Sequence, residues 1–293
     1  MKPPPFQYHD PKTLAEAVGL LGTLDNAKLL AGGQSLMPML NMRFVLPDHV
    51  IDLNLVEGLS YIKEASGALE IGAMTRQRDL EFSDLVKAKC PLMHEAIAHI
   101  GHRQTRNRGT IGGSLCHLDP SAELVTVAAA HDATVSVAGP GGTREIAFAD
   151  FPAGYLTPAI ELNEIVTAIR IPFWPAGHKS AFIEFARRHG DFAIVSAAAL
   201  LQIEGGKISR ASVTLGGVAV APVRASEVEA AITGQAPSSD LFAKACESCR
   251  AIDAMADIHA STDYRQHLAA VLSRRALEKA AGLADNAPWN RPH

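Results

Sequence analysis

Two glycine pairs, each followed within two residues by a serine, constrain the fold of this chain more than any other feature. The first lies in AGGQS at residues 31–35, between a predicted strand at residues 29–31 and a predicted helix at residues 36–43. The second lies in TIGGS at residues 110–114. Because glycine tolerates positive φ, paired glycines let successive backbone N–H groups converge into a nest that binds phosphate oxygens. A helix that begins after the first pair adds partial positive charge.

Two such segments in separate α/β units are suited to a diphosphate held between them, and therefore to a dinucleotide. The chain has neither the glycine fingerprint of Rossmann folds nor the lysine loop of nucleoside triphosphatases. Most single glycine pairs are plain turns, so one pair alone would be weak evidence for a phosphate site. The presence of both pairs supports the dinucleotide hypothesis.

Hydrophobic periodicity divides the chain into blocks of strands and blocks of helices. The first 56 residues are typical of a βαβ-type unit, in which a capping box, TLAE at residues 13–16, begins the first helix. Strands are predicted to dominate residues 57–173, and prolines at positions 172 and 175 mark a boundary. Strands and then helices follow, and we expect residues 285–293 to fray. This segregation favours an α+β fold over one doubly wound sheet.

Composition excludes several other classes of protein. The chain has 27 lysine and arginine residues against 31 aspartate and glutamate residues, a net charge of −4, whereas a general nucleic-acid binder needs a basic face. Its longest nearly apolar run, residues 193–201, is far shorter than the roughly 20 residues that cross a bilayer, so we expect no membrane span. The four cysteines are too few and too scattered for a disulfide framework or an all-cysteine iron–sulfur site, and no apolar signal stretch begins the chain. We therefore expect a cytoplasmic protein.

Two basic clusters allow two interpretations each. His102 and three arginines at positions 103, 106 and 108 form either a solvated loop or a charged patch near the second glycine segment. Arg187 and Arg188 form either structural ion pairs or a site for an anionic group.

Neither the cysteines nor the histidines indicate a reactive centre. Cys246 and Cys249 fall mid-helix on one face, which is typical of small core residues. The twelve histidines lack metal-ligand spacing, so we predict no metal site on this chain. Asp119 and Glu123 are interpreted as a helix cap and a nucleotide contact rather than an acid–base pair. We predict no catalytic side chain.

Several segments, taken in order, resemble those of one family, the FAD-binding medium subunits of molybdenum hydroxylases. This family includes carbon monoxide, nicotine, caffeine and xanthine dehydrogenases. The resemblance extends from about residue 3 to residue 281. The segments that carry it are AGGQSLMP at 31–38, IGAMT at 71–75, TIGGS at 110–114, DP at 119–120, IRIP at 169–172 and ARRHGDFA at 186–193.

The resemblance implies an α+β fold with two FAD-binding subdomains of the vanillyl-alcohol-oxidase type, residues 1–56 and 57–173. A C-terminal α+β domain of the carbon monoxide dehydrogenase flavoprotein type follows at residues 176–284. The two glycine segments would hold the diphosphate, one residue would reach the ribose or adenine, two apolar residues would line the cofactor, and one ring would lie close to the isoalloxazine. The implied residues of the first glycine segment are Leu29, Leu30, Ala31, Gly32, Gly33, Gln34, Ser35 and Leu36, and those of the second are Thr110, Ile111, Gly112, Gly113 and Ser114. Glu123 is the implied contact to the ribose or adenine, Ile100 and Ile169 are the apolar lining, and Phe192 is the ring near the isoalloxazine.

Two positions depart from the family pattern. Ser114 stands where the family usually has asparagine, and Glu123 stands where it usually has aspartate. Serine offers one hydroxyl in place of an amide, and glutamate is one methylene longer. We therefore expect weaker or water-mediated polar contacts, with FAD still bound.

The resemblance also implies a function. In this family a large molybdopterin-binding subunit oxidises the substrate, a small subunit carries electrons through 2Fe-2S clusters, and FAD on the medium subunit passes them to an external acceptor. The complexes are typically dimers of heterotrimers. The chain would then be an oxidoreductase subunit that is incomplete alone. Two alternatives remain open: a self-sufficient FAD-dependent reductase of the enolpyruvyl-sugar type, and a non-catalytic flavin-binding assembly protein.

Overall fold

The computed structural model of the chain describes residues 1–283, which form two units. The first unit contains Met1–Leu85, His102–Leu118 and Ala133–Pro172. The second contains Val86–Gly101, Asp119–Asp132 and the chain from Phe173 onward. The chain therefore passes between the units several times. The tail for which we predict fraying lies outside the described residues.

Helices and strands are distributed over the whole described chain. In chain order they are β1 (Gln7–His9), α1 (Leu14–Thr23), β2 (Ala27–Leu30), α2 (Leu36–Asn41), β3 (His49–Asp52), β4 (Ile62–Ala65), β5 (Ala68–Gly72), α3 (Gln77–Phe82), α4 (Asp84–Lys89), α5 (Pro91–Ile97), α6 (Arg103–Arg108), α7 (Ile111–His117), α8 (Glu123–Ala130), β6 (Thr134–Gly139), β7 (Gly142–Ala147), β8 (Pro152–Gly154), β9 (Thr157–Pro158), β10 (Ile165–Pro172), β11 (Lys179–Phe185), β12 (Val195–Glu204), β13 (Lys207–Gly216), β14 (Val223–Arg224), α9 (Ser226–Ile232), α10 (Ser239–Cys246) and α11 (Thr262–Ala280).

A three-stranded parallel sheet begins the first unit, with strand order β1-β3-β2. Helix α1 starts with the predicted capping box: the Glu16 N–H donates to the Thr13 hydroxyl at 3.2 Å, and the Thr13 N–H donates to the Glu16 carboxylate at 3.2 Å. Ala17 of α1 and Leu53, which follows β3, are buried in one apolar cluster. The predicted βαβ-type unit is confirmed.

A five-stranded antiparallel sheet forms most of the remaining first unit, with strand order β4-β5-β10-β6-β7. The central strand β10 pairs with β5 on one side and with β6 on the other. Strand patterns on either side of the glycine at position 67 and of the glycines at positions 139, 141 and 142 predict two hairpins, and both, β4–β5 and β6–β7, are present. Helices α6 and α7 belong to the same unit and lie in the connection between β5 and β6.

A four-stranded antiparallel sheet, with order β11-β12-β13-β14, organises the second unit. Helix α8 packs against it, and the Ser212 hydroxyl on β13 donates to the Ala130 carbonyl at the end of α8, at 2.8 Å. Helix α11 covers the same sheet. Cys246 and Cys249 are each 1% exposed in the apolar cluster of this unit, as predicted for core residues. Together the two units confirm the α+β class.

Three local predictions differ from the structure. Residues 102–109, predicted as a polar connection, contain helix α6. The spacing of apolar residues predicts one helix over 241–255, but α10 ends at Cys246 and a short 3-10 turn follows it. Thr75 precedes a predicted helix and is a candidate cap for it, but its hydroxyl instead accepts the Tyr61 N–H at 3.0 Å and donates to the Tyr61 carbonyl at 2.9 Å, and it does not cap α3.

The unit boundaries also differ from a division by sequence alone. The second unit resumes at Phe173, beside the predicted boundary, but it also includes Val86–Gly101 and Asp119–Asp132, which the sequence assigns to the second FAD-binding subdomain. Within residues 1–283, none of the helices combines the length and apolarity that crossing a bilayer requires.

Candidate dinucleotide-binding site

The two glycine segments are adjacent in the first unit. A Cβ atom on Gly32 would lie 2.8 Å from the Cα of Gly109, the residue before the second segment. A Cβ atom on Gly113 would lie 3.5 Å from the Cβ of Ala31 in the first segment. The backbones can approach this closely because Gly32 has no side chain. A diphosphate held by both segments needs such an arrangement.

The first segment presents unpaired backbone donors. Gly33 has a φ of +75°, in the left-handed region that glycine favours. Ser35 precedes α2, but its hydroxyl caps no backbone N–H of that helix. Within residues 1–283, the N–H groups of residues 32–35 meet no hydrogen-bond acceptor. These amides and the Ser35 hydroxyl are available to an anion, with the positive end of α2 beside them.

The second segment is built differently from the sequence-based expectation. Thr110 is the N-cap of α7, and its hydroxyl accepts the Gly113 N–H at 3.1 Å. The Ser114 N–H donates to the Thr110 carbonyl at 3.0 Å. The N–H groups of Ile111 and Gly112 donate to the carbonyls of Thr75 and Ala73, at 3.1 and 2.8 Å. The expectation of an open amide nest here is therefore wrong, and the Ser114 hydroxyl is the polar group that this segment leaves available.

Two side chains that sequence reasoning missed join the segments. The Arg76 guanidinium donates to the Arg108 carbonyl at 2.5 Å and to the Asn54 side-chain oxygen at 2.5 Å. The Asn54 amide in turn donates to the Ala31 carbonyl at 3.0 Å. A signal for Asn54 existed, because it follows β3 as residues 31–35 follow the neighbouring parallel strand β2, and the carboxyl ends of parallel strands meet at one edge. No sequence pattern indicated Arg76.

Positive charge accumulates where the segments meet. Burial lowers the pKa of Arg76 below its ordinary value, and the nearby charge of Arg108 lowers it further, while Asp79 and Asp52 act in the opposite direction. The Arg108 carbonyl and the Asn54 amide oxygen, which accept from the Arg76 guanidinium, are both uncharged. The arrangement favours an anion nearby. Arg106, by contrast, forms an ion pair with Glu81 at 2.9 Å, so that part of the predicted basic cluster is structural.

The remaining predicted residues of the first unit lie close to these segments in sequence or in the central sheet. Leu29 and Leu30 belong to β2, and Leu36 begins α2. Ile169 lies in β10 between Ile71 and Val135 and is fully buried. Its predicted contact with a cofactor stays a prediction.

Three predicted residues belong to the second unit. Ile100 is buried, and Phe192 is 70% exposed in the turn between β11 and β12. Glu123 is the first residue of α8 and is 7% exposed. Burial raises its pKa to about 8, and the negative charges of Glu184 and Asp119 contribute to the rise. The contacts predicted for all three with a cofactor stay predictions.

Two family models cover nearly the whole chain. The first, described as the FAD binding domain in molybdopterin dehydrogenase, matches residues 4–174. The second, described as the CO dehydrogenase flavoprotein C-terminal domain, matches residues 180–280.

Characterised proteins are similar over the same length. The glyceraldehyde dehydrogenase medium chain of Sulfolobus acidocaldarius is 37% identical, covering 96% of this chain and 100% of its own. The carbon monoxide dehydrogenase medium chain of Afipia carboxidovorans is 39% identical, covering 98% of this chain and 100% of its own. Among solved structures, carbon monoxide dehydrogenase from Hydrogenophaga pseudoflava matches with a TM-score of 0.93 at 38% identity, over 97% of this chain and 99% of that chain.

Proposed function

The chain belongs to the family of FAD-binding medium subunits of the carbon monoxide and xanthine dehydrogenases, and from that premise we propose that it holds FAD and passes electrons from partner iron–sulfur clusters to an external acceptor. FAD, when bound, exchanges electrons singly or in pairs, and so connects one-electron clusters with a two-electron acceptor. The chain itself binds and orients this group.

The contact between the two glycine segments is the observation that carries the proposal. It brings the segment with the unpaired N–H groups of residues 32–35 against the segment that contains Ser114, and Arg76 donates to the Arg108 carbonyl beside Gly32. Backbone amides and hydroxyls donate to phosphate oxygens, and a fixed positive charge nearby favours the anionic diphosphate. We expect the amides of residues 32–35 to donate to phosphate oxygens and the hydroxyls of Ser35 and Ser114 to complete the set.

The other predicted residues have chemistry that suits the rest of the dinucleotide. Glu123 keeps its proton near neutral pH, so its carboxyl can both donate to and accept from a ribose or adenine group. Ile100 and Ile169 offer apolar side chains. The exposed ring of Phe192 is free to lie against an isoalloxazine.

The proposed partners follow from the family. The relatives are medium subunits of multi-subunit enzymes. We propose that this chain assembles with a large molybdopterin-binding subunit and a small 2Fe-2S subunit, as a dimer of heterotrimers in the cytoplasm. In such a complex the substrate is oxidised on the large subunit, and this chain supplies the electron exit.

Purification of the native complex through an affinity tag on this chain tests the proposal. We expect two co-purifying subunits, molybdenum and iron in the sample, one FAD for each copy of this chain, and loss of flavin absorbance when a substrate is added without oxygen. Substrate turnover by the chain alone, including NADPH-dependent reduction of an enolpyruvyl sugar, would contradict the subunit assignment. So would a complex that contains no flavin.

A further inference from the structure

The path from one glycine segment to the other runs through two side chains. It begins at the Ala31 carbonyl, continues through the amide of Asn54 and the guanidinium of Arg76, and ends at the Arg108 carbonyl. Every link is a hydrogen bond of 3.0 Å or shorter. We call this connection, made by Asn54 and Arg76, the interloop bridge.

Both members of the interloop bridge are held in place by their surroundings. The Asn54 N–H donates to the Asp52 carboxylate at 2.9 Å, and the Asn54 side chain contacts the same carboxylate. Asp52 also accepts the Tyr8 hydroxyl at 2.7 Å, which ties the bridge to strands β1 and β3. Arg76 pairs with Thr110 through an isolated antiparallel backbone contact. The bridge is therefore fixed at both ends by the first unit.

A planar guanidinium is well suited to such a bridge. Its N–H groups point in fixed directions, so two acceptors bound to different nitrogens are held at a defined separation. A lysine ammonium keeps the charge but is a compact point with rotating donors, and it does not impose this geometry. The two acceptors of Arg76 are the Arg108 carbonyl, next to the second segment, and Asn54, which holds the first.

We propose that Asn54 and Arg76 are positioning residues, whose bridge sets the separation of the two glycine segments and thereby the affinity for the FAD diphosphate. This inference rests on the proposed FAD function. The bridge acts through the donors of residues 32–35 and Ser114 rather than by replacing them. These donors must all reach one diphosphate, so a small change in the separation of the segments lengthens and weakens their hydrogen bonds to it.

The test compares five variants of the tagged complex: Arg76→Gln, Arg76→Lys, Asn54→Ala, the double variant Arg76→Gln with Asn54→Ala, and the control Arg78→Gln. Arg78 lies in the first turn of α3, the helix that Arg76 precedes, and its guanidinium lies over the Phe82 ring, 4.8 Å from the ring centroid. The control therefore removes the same charge without touching the bridge. FAD is removed, and its dissociation constant on rebinding is measured by flavin fluorescence.

We expect the dissociation constant to rise about tenfold or more in Arg76→Gln, Arg76→Lys and Asn54→Ala, since each breaks a hydrogen bond to a charged group. The double variant Arg76→Gln with Asn54→Ala should be no weaker than the worse single variant, because both remove one bridge. Phosphorus NMR of bound FAD should show both diphosphate resonances shifted in the bridge variants and unchanged in Arg78→Gln. A general loss of stability would not move these resonances selectively.

Three results would overturn the inference. Wild-type affinity in Arg76→Lys would show that charge alone matters. Equal affinities in Arg76→Gln and Arg78→Gln would show that the bridge has no role, while FAD binding by the wild type would leave the proposed function intact. Strictly additive effects in the double variant would show that the two residues act separately. Should Arg76→Gln not fold, Asn54→Ala and Arg76→Lys carry the same comparison.

Discussion

A Cβ atom on Gly32 would lie 2.2 Å from the carbonyl oxygen of Arg108, although the two residues are far apart in sequence. Non-bonded carbon and oxygen atoms do not approach this closely. The absence of a side chain at position 32 is therefore a requirement of the contact between the glycine segments. The segments are held together from two sides, by this backbone contact and by the interloop bridge.

Replacing Gly32 with alanine should separate the segments. We expect the free energy of unfolding to fall by about 1–3 kcal/mol, as in other overpacked sites, and FAD binding to weaken by more than this loss of stability explains. Thermal unfolding and flavin fluorescence measure the two effects. Gly19→Ala is the matched control, because a Cβ atom there meets nothing within 4 Å in helix α1. Equal behaviour of the two variants would contradict the packing argument.

Ser114 should contribute a single hydrogen bond to the cofactor. In Ser114→Ala we expect FAD binding to weaken by about 0.5–1.5 kcal/mol, the usual net value for one neutral hydrogen bond. Ser114→Asn, which restores the residue that the family usually has, should bind FAD at least as tightly as the wild type. Titration of the flavin-free complex with FAD measures both. Wild-type affinity in Ser114→Ala would show that this hydroxyl makes no contact.

Glu123 should make stability depend on pH. Its pKa is raised from 4.5 to about 8, so the folded protein keeps a proton that the unfolded chain loses near pH 4.5. Between these values the folded state binds more protons, and stability falls as pH rises, by at most about 1.4 kcal/mol per pH unit. Above about pH 8 both states are ionised and this contribution levels off.

The variant Glu123→Gln should remove this slope, so its stability relative to the wild type should increase from acidic to alkaline pH. Urea unfolding at several pH values measures it. Asp253→Asn, an exposed residue of the same unit, is the control and should leave the slope unchanged. A wild-type slope in Glu123→Gln would contradict the raised pKa.

Arg265 should stabilise the turn that carries Phe192. Its guanidinium is 2% exposed and donates to the carbonyls of Ile194 and Gly217, and to Asp257 at 2.6 Å. In Arg265→Met we expect a loss of about 1–3 kcal/mol for each carbonyl left without a donor. Chemical unfolding measures the loss.

Arg250→Gln breaks an exposed ion pair with Glu247 and serves as the control, with an expected loss of at most about 1 kcal/mol. Similar losses in the two arginine variants would show that the buried contacts of Arg265 contribute nothing beyond a surface pair.

Local patterns predicted the elements whose determinants are local. The capping box at Thr13 and Glu16, and the hairpin turn that the glycines at positions 205 and 206 indicate, each depend on residues a few positions apart. The sequence also predicted that the two glycine segments are adjacent, because both were interpreted as parts of one diphosphate site.

Long-range partners account for what the sequence did not predict. The acceptors that occupy the amides of Ile111 and Gly112 are carbonyls of residues 73–75, and no local pattern identifies them. Thr75 resembles a helix cap, but its hydroxyl bonds to Tyr61 instead. In the sequence, Arg76 looks like an ordinary polar residue at the start of a helix. Its acceptors, Asn54 and the Arg108 carbonyl, are distant in sequence, and only the structure identifies them.

The interleaving of the two units along the chain has a consequence for biosynthesis. Helices α5 and α8, with the fully buried Leu92 and Val125, leave the ribosome before β12 and β13, the strands on which they pack, have been translated. Their apolar faces therefore stay exposed until the last third of the polypeptide has been synthesised. A nascent or truncated product that stops at Pro172 would display these faces to chaperones and proteases, so a stable fragment should not be obtained by cutting the gene at that point.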